Sequence, residues 1–328
     1  MSNASIPGPL REVPNVEQYV YDTVPNVKTG RIANIAVLRQ TDSYNIFTTE
    51  GTELNLASTA VKPGSTDTIQ RIVMFKRKQV ASERRTGKEE IRALYKQHRN
   101  LVDNPEAFGA FDDDADLCRL HNNLCGNCVD CKLYGFANAE VADGSRHSRV
   151  LTDSAFSLRG LEQREDITFN AQSEETESES STSLNSLAHT QPETYFPSIV
   201  SIRDFTWRDL YWLIYLLQNT TRYGAETSRT GYVDNTILSI WFDSAETISN
   251  LELTKRTRAN LEAETDEVMN FSRPDVRSAM QEALPETKSQ HNVNPDDDPI
   301  ISDVNGRLHA EADRIEFIIS LHDDQTGN

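Results

Sequence analysis

The sequence predicts an α+β fold with an antiparallel sheet, on three observations. Short β-branched and aromatic runs, Arg31 to Leu38, Gln70 to Phe75 and Ile237 to Phe242, read as strands. Thr206, with Asp209 three residues on, forms a capping box that opens a strongly apolar helix from Trp207 to Asn219. Strands and helices then mix without the regular spacing of a parallel βαβ sheet, and no internal repeat is evident. Two further elements complete the reading: a short helix over Glu89 to His98, and a final strand at Arg314-Ile-Glu-Phe-Ile-Ile-Ser320.

A chain of 328 residues has room for one large domain or two ordinary ones around a real core. The first ten residues have neither the basic nor the apolar region of a secretory signal. The longest apolar run, Leu210 to Leu217, is too short to cross a bilayer. These features point to a cytoplasmic protein without a membrane partner. The 51 acidic residues outnumber 33 basic ones, and of the latter 24 are Arg and nine Lys. Excess acid with scarce Lys and plentiful Thr suggests a halophilic host, where salt screens self-repulsion and carboxylates keep the surface hydrated; the alternative is an ordinary acidic protein.

The net charge of −18 hides opposed segments. Arg71 to Arg99 carries ten Lys/Arg against three Glu, a net of +7, whereas Ala259 to Asn328 has 16 acids and five bases, a net of −11. Gln172 to Thr194 holds five Glu, six Ser and no base, and reads as a disordered loop. The acidic tail reads as loosely structured as far as Pro299.

All four cysteines fall within fourteen residues as C-x6-C-x2-C-x2-C: Cys118, Cys125, Cys128 and Cys131. A cytosolic chain does not keep disulfides, so such clustering points to metal or redox chemistry. Short C-x2-C turns bring thiolates to one tetrahedral zinc, and four protein ligands leave no position for a reacting water, so the zinc is read as structural. His121 is a substitute ligand for Cys118. The alternatives are an iron–sulfur cluster, whose bacterial run would continue to a fourth Cys followed by Pro, and free thiols.

The segments from the cysteines onward carry a resemblance. Cys128-Val-Asp-Cys131-Lys-Leu-Tyr-Gly-Phe-Ala137 runs into Ser148-Arg-Val-Leu-Thr-Asp-Ser-Ala-Phe156. Then come Thr168-Phe-Asn-Ala171, Thr194-Tyr-Phe-Pro197, Thr221-Arg-Tyr-Gly-Ala225 and Ser228-Arg-Thr-Gly231. Together, over roughly residues 20 to 258, they resemble the backbone subunit of type I-D CRISPR interference (Cascade-like) complexes, a member of the RAMP superfamily. The resemblance implies an RRM-like (ferredoxin-like) core with inserted subdomains. Residues 20–110 would be the first part of the core with a basic loop, and 111–136 a zinc-binding insert. Residues 137–258 would be the rest of the core with a thumb-like hairpin and a disordered loop at 172–194, and 259–328 an acidic extension. The hairpin would rise through Thr168-Phe-Asn and descend through Tyr195-Phe-Pro. The function implied is antiviral defence: a ribonucleoprotein in which copies stack along a CRISPR RNA beside other subunits and present it to target DNA.

The residue chemistry agrees. Lys76, Arg77, Lys78, Arg84 and Arg85 are placed at a strand end and in the loop after it, where they can grip phosphates. Arg222 and Arg229 stand beside Gly224 and Gly231, whose backbone can approach a phosphate, and Arg146 and Arg149 form another basic stretch. The alternative for each is an ordinary surface charge. Phe75 and Tyr95 are able to stack on bases but read as core. No phosphate loop, GxGxxG, HExxH or HD pair is present, so no enzyme is predicted. Two other readings remain open: a target-cleaving nuclease subunit with Asp42 as metal ligand, and a zinc-finger-type regulator, which lacks a basic recognition helix after the cysteines. Asp112 to Asp114 with Asp116 reads as a solvated acidic run.

Overall fold

The structure, a computed structural model, describes residues 6–49, 51–109, 118–119, 123–137, 144–171, 181–226, 230–264 and 271–327. The strands are β1 (Ile32–Thr41), β2 (Leu56–Ala60), β3 (Thr68–Met74), β4 (Phe136–Ala137), β5 (Ser145–Arg146) and β6 (Val150–Thr152). They continue with β7 (Ala155–Phe156), β8 (Arg164–Ala171), β9 (Ser181–Thr190), β10 (Tyr195–Arg203), β11 (Val233–Asp243) and β12 (Gln290–Asn292). The helices are α1 (Gly8–Arg11), α2 (Lys76–Gln97), α3 (Val129–Tyr134) and α4 (Trp207–Asn219). Near the C-terminus lie α5 (Asn250–Glu264), α6 (Arg273–Ala283), α7 (Pro299–Arg307) and α8 (Glu311–Thr326).

The main sheet runs β12-β11-β1-β10-β6, antiparallel throughout. Taking β1, α2, β6, β10, α4 and β11 in chain order gives βαββαβ. Their spatial order, fourth-first-third-second, is the ferredoxin-like one, with β12 added at an edge. Strand β1 sits centrally, and every one of its residues is buried, which matches its mostly apolar first half, interrupted only by Asn34. The smaller sheet β2-β3-β7 and the hairpin β8-β9 are insertions. Among the described residues no helix is long and apolar enough to cross a membrane.

The expected strands at the core are present, and α4 begins with the expected capping box: Thr206 Oγ1 accepts from Asp209 N–H and Asp209 from Thr206 N–H. Five expectations are corrected. First, Lys76 to Arg85 is not a loop: α2 begins at Lys76 and is 22 residues long. Its buried i, i+4 row is Gln79, Glu83, Gly87, Ile91 and Tyr95. The first half of that row is polar or glycine, which hides the helical period that apolar residues would reveal. Second, Arg314 to Ser320 belongs to helix α8, not a strand. Ile315, Ile318, His322 and Gln325 are buried at helical spacing, whereas the short apolar run alone fits either element.

Third, the tail is ordered in α5, α6, β12, α7 and α8, and the boundary expected after residue 258 falls inside α5. Leu253, Leu261, Val276 and Met280 of α5 and α6 pack on Ala36, Leu38, Ile199 and Trp241, closing the second face of the main sheet. Fourth, the hairpin descends through β9, not Tyr195-Phe-Pro, which pairs with β1 in the core. Fifth, residues 181–194 form β9 and a turn rather than a disordered loop; 172–180 lie outside the described residues.

Candidate nucleic-acid interface and metal clip

The four cysteine sulfurs lie within 4.8 Å of one another, the only such group of His, Cys, Asp or Glu among the described residues. Cys118 Sγ is 3.6 Å from Cys131 Sγ and 3.8 Å from Cys128 Sγ, and Cys125 Sγ is 4.0 Å from Cys131 Sγ. Tetrahedral thiolates about 2.3 Å from a zinc ion stand roughly 3.8 Å apart, so the donor set fits zinc. Backbone N–H groups of Asn127 and Cys128 donate to Cys125 Sγ, and that of Cys125 to Cys118 Sγ, which stabilises charged sulfur. Gly109, at φ +71°, permits the tight fold: a Cβ there would stand 2.6 Å from the Cys118 Cβ. His121 and Asp112 to Asp116 lie outside the described residues.

The clip docks on α2. Lys88 Nζ, buried, lies 2.9 Å from Cys118 Sγ and 2.9 Å from Asp130 Oδ2. Burial works against its ammonium, but Asp130 and the sulfurs outweigh it and push the pKa up. Asp130 also accepts from Arg84 Nη2 at 2.6 Å and Nε at 3.1 Å. Nothing in the local sequence signals these contacts, since Lys88 and Asp130 are 42 positions apart. On an adjacent face α2 is tied to the sheet by the fully buried pair Glu83–Arg39 at 3.0 Å.

Of the basic residues expected at a phosphate backbone, Lys76, Arg77 and Arg85 are exposed on α2 and form no ion pair among the described residues. Lys78 is half-buried beside them, and burial followed by the charges of Arg77 and Arg85 pulls its pKa down. The first turn of α2 thus holds three cations and no acid, against the helix dipole. Arg84 turns inward to Asp130. Arg149 is corrected from a surface contact to a buried tie, donating through both Nη atoms to Asp209 at 2.7 Å. Arg146 is half-buried in β5, where burial and then Arg149 lower its pKa.

Arg222 is exposed and donates to the Thr230 carbonyl at 2.7 Å. The space beside Gly224 (φ +112°) is filled by the chain itself, since a Cβ there would lie 2.5 Å from the Ile46 carbonyl oxygen. The glycine therefore packs loop on loop and leaves no room for a phosphate. Glu226 of that loop is close enough to α2 to act on Lys78. Arg229 lies outside the described residues. Tyr95 is core, as expected, whereas Phe75 is 38% exposed at the start of α2. Asp42 is exposed after β1, its N–H donating to the Tyr232 carbonyl, and no group able to hold a metal forms around it among the described residues. Helix α3 buries five of its six residues, which leaves no face to enter a DNA groove.

A ferredoxin-like sheet with a cysteine clip on its first long helix and a hairpin beside it defines an RRM-like α+β protein. The chain belongs to the Csc2 CRISPR family: the family model described as Csc2 Crispr matches residues 19–315. The crystal structure of Thermofilum pendens Csc2 superposes with a TM-score of 0.53 at 17% identity, covering 92% of this chain and 93% of that one. A chain of a CRISPR RNA-guided surveillance complex, pre-nicking, matches at a TM-score of 0.47 and 10% identity, over 77% of this chain and 87% of that one. A chain of a Type IV-B CRISPR complex matches at 0.42 and 11%, over 62% and 90%. No curated protein matches the sequence.

Proposed function

We propose that this chain is a non-catalytic, CRISPR RNA-binding backbone subunit of a type I-D antiviral interference complex. Copies of it stack along the guide RNA and present it to target DNA. Family membership supports the CRISPR role, and the sequence resemblance supports type I-D. The observation that carries RNA binding is the exposed set Lys76, Arg77 and Arg85, with half-buried Lys78, on one helix of a chain of net charge −18. Such a set attracts a polyanion without reading its bases. The face of an RRM sheet that commonly stacks bases is closed here by α5 and α6, so the RNA runs along α2 and the Arg222 loop.

Zinc at Cys118, Cys125, Cys128 and Cys131 is structural: it orders the stretch from 123 to 136, where a small insert has little core of its own. The acidic surface suits a salt-rich cytoplasm, with part of the RNA grip supplied by backbone groups and burial between copies. The test is a ribonuclease footprint of the complex assembled on its guide RNA. Protection at a fixed interval set by the subunit spacing supports stacking; one irregular footprint refutes it.

A further inference from the structure

We propose that Lys88 is a positioning residue through which the metal clip holds the basic helix, so that metal occupancy sets RNA affinity; the second half rests on the RNA reading above. The argument begins with charge. A zinc ion with four thiolates has a net charge of −2, and three of the four sulfurs here belong to buried residues. Buried charge is tolerated only when it is paired. Lys88 supplies the pairing, with Cys118 Sγ at 2.9 Å and Cys128 Sγ at 4.0 Å. Asp130 then joins Lys88 to Arg84 at 2.9 and 2.6 Å, and the Arg84 guanidinium stands over the Tyr134 ring. Charge alternates along this row from the clip to α2, and all three side chains are nearly sealed from solvent.

The row matters because of where it meets the helix. Arg84 and Lys88 are one turn apart, and Arg85, of the exposed basic set, lies between them in sequence. About 100° around the helix Glu83 is fixed to Arg39, and Gly87 lets α2 close on Leu216, where a Cβ would come within 3.1 Å. Helix α2 is therefore clamped from two directions. Losing the ion removes the common partner that holds the four sulfurs together beneath Lys88 and so loosens that side of the clamp, while the Arg39–Glu83 pair remains as a pivot. A roll of about 20° about the axis carries groups at a radius of about 6 Å through about 2 Å, enough to break phosphate contacts.

The experiment uses the full chain, with and without zinc, and a labelled mixed-sequence single-stranded RNA. Hydrogen exchange at residues 80–90 reads the clamp independently of RNA, and RNA titration reads its consequence. Zinc removal is expected to raise exchange there while β1, β10 and β11 stay protected, and to weaken RNA binding about tenfold. By reciprocity, saturating RNA strengthens zinc retention against a chelator by the same factor. Lys88→Met with zinc bound reproduces both effects, and Lys88→Arg, which keeps the charge, restores them; this pair decides the matter if the zinc-free chain unfolds. Unchanged exchange at 80–90, or Lys88→Met behaving as the parent, overturns the proposal. Raised exchange with unaltered RNA affinity upholds the clamp and removes RNA from α2.

Discussion

Reversing two charges at the start of α2 separates RNA binding from stability, because the structure assigns the two effects opposite signs. Lys76 and Arg77 are exposed, and neither side chain has an ion partner among the described residues, so changing them removes no folding contact. Lys76→Glu with Arg77→Glu places carboxylates in a first turn that now has no acid, where each gains about 0.3–1 kcal/mol from the helix dipole. The double variant is therefore expected to be as stable as the parent, or about 1 kcal/mol more stable. RNA binding moves the other way. Single-strand affinity falls with salt at a slope of about −0.7 per phosphate, so each contact contributes about fourfold at 0.15 M salt and two contribute about fifteenfold. Reversal adds repulsion, making fifteenfold a lower bound, and the salt slope flattens by about 1.4. The assay is fluorescence anisotropy with labelled single-stranded RNA from 0.1 to 1 M KCl, paired with thermal denaturation. Parent and variant affinities should converge near 1 M, where the counterion contribution vanishes. Equal affinity at low salt, or an equal loss at every salt concentration, refutes phosphate contact by this turn.

Elemental analysis of the purified chain should give one zinc per molecule, and Cys128→Ser should raise proteolysis within residues 118–136 while the sheet stays intact; a brown, iron-containing preparation refutes the zinc assignment. Asp209→Ala should destabilise by about 3–5 kcal/mol in urea denaturation, since it strands the buried Arg149 charge and removes the reciprocal half of the α4 capping box, the bond from Thr206 N–H. A loss under about 1 kcal/mol would show that Arg149 finds water instead. Asp324 responds to pH. Burial, followed by the pull of Arg208 against it and the repulsion of Asp209, leaves its pKa raised to about 6 from 3.8. The folded state then holds the proton more tightly, so this group's contribution to stability grows as pH falls from 7 through 6 and is complete near 4. After screening it is worth about 1 kcal/mol. Asp324→Asn should remove that slope between pH 7 and 4, and urea midpoints at both ends measure it.

The local features were legible because their causes are local. The capping box of α4 needs only Thr206 and Asp209, three residues apart, and both its bonds form. The cysteine spacing confines four sulfurs to a short loop, and they converge as that spacing requires. Strand β1 announces itself because burial on both faces demands a largely apolar, β-branched stretch, which Ile32 to Leu38 supplies with Asn34 as its one polar member. The basic residues of α2 were also visible as a charged segment, although not as a helix, since Gln79 and Glu83 occupy buried positions of the sort that reveal helices when apolar.

Which of those cations meet solvent was decided only by tertiary structure. Arg84 and Arg149 look in the sequence like Arg77 and Arg85, yet Asp130 and Asp209, 46 and 60 positions away, draw them inside. The same holds for the tail, whose acidic composition suggested a loose extension. Its sparse apolar residues, Val276, Met280, Ile315 and Ile318 among them, suffice because each packs against a preformed partner. A segment that completes an existing core needs far less apolar surface than one that must build its own, and composition alone does not say which case applies. The sequence therefore determined the central strands, the start of α4 and the convergence of the four cysteines, while long-range pairing of buried charge and shared apolar surface decided which helices formed the tail and which cations stayed exposed.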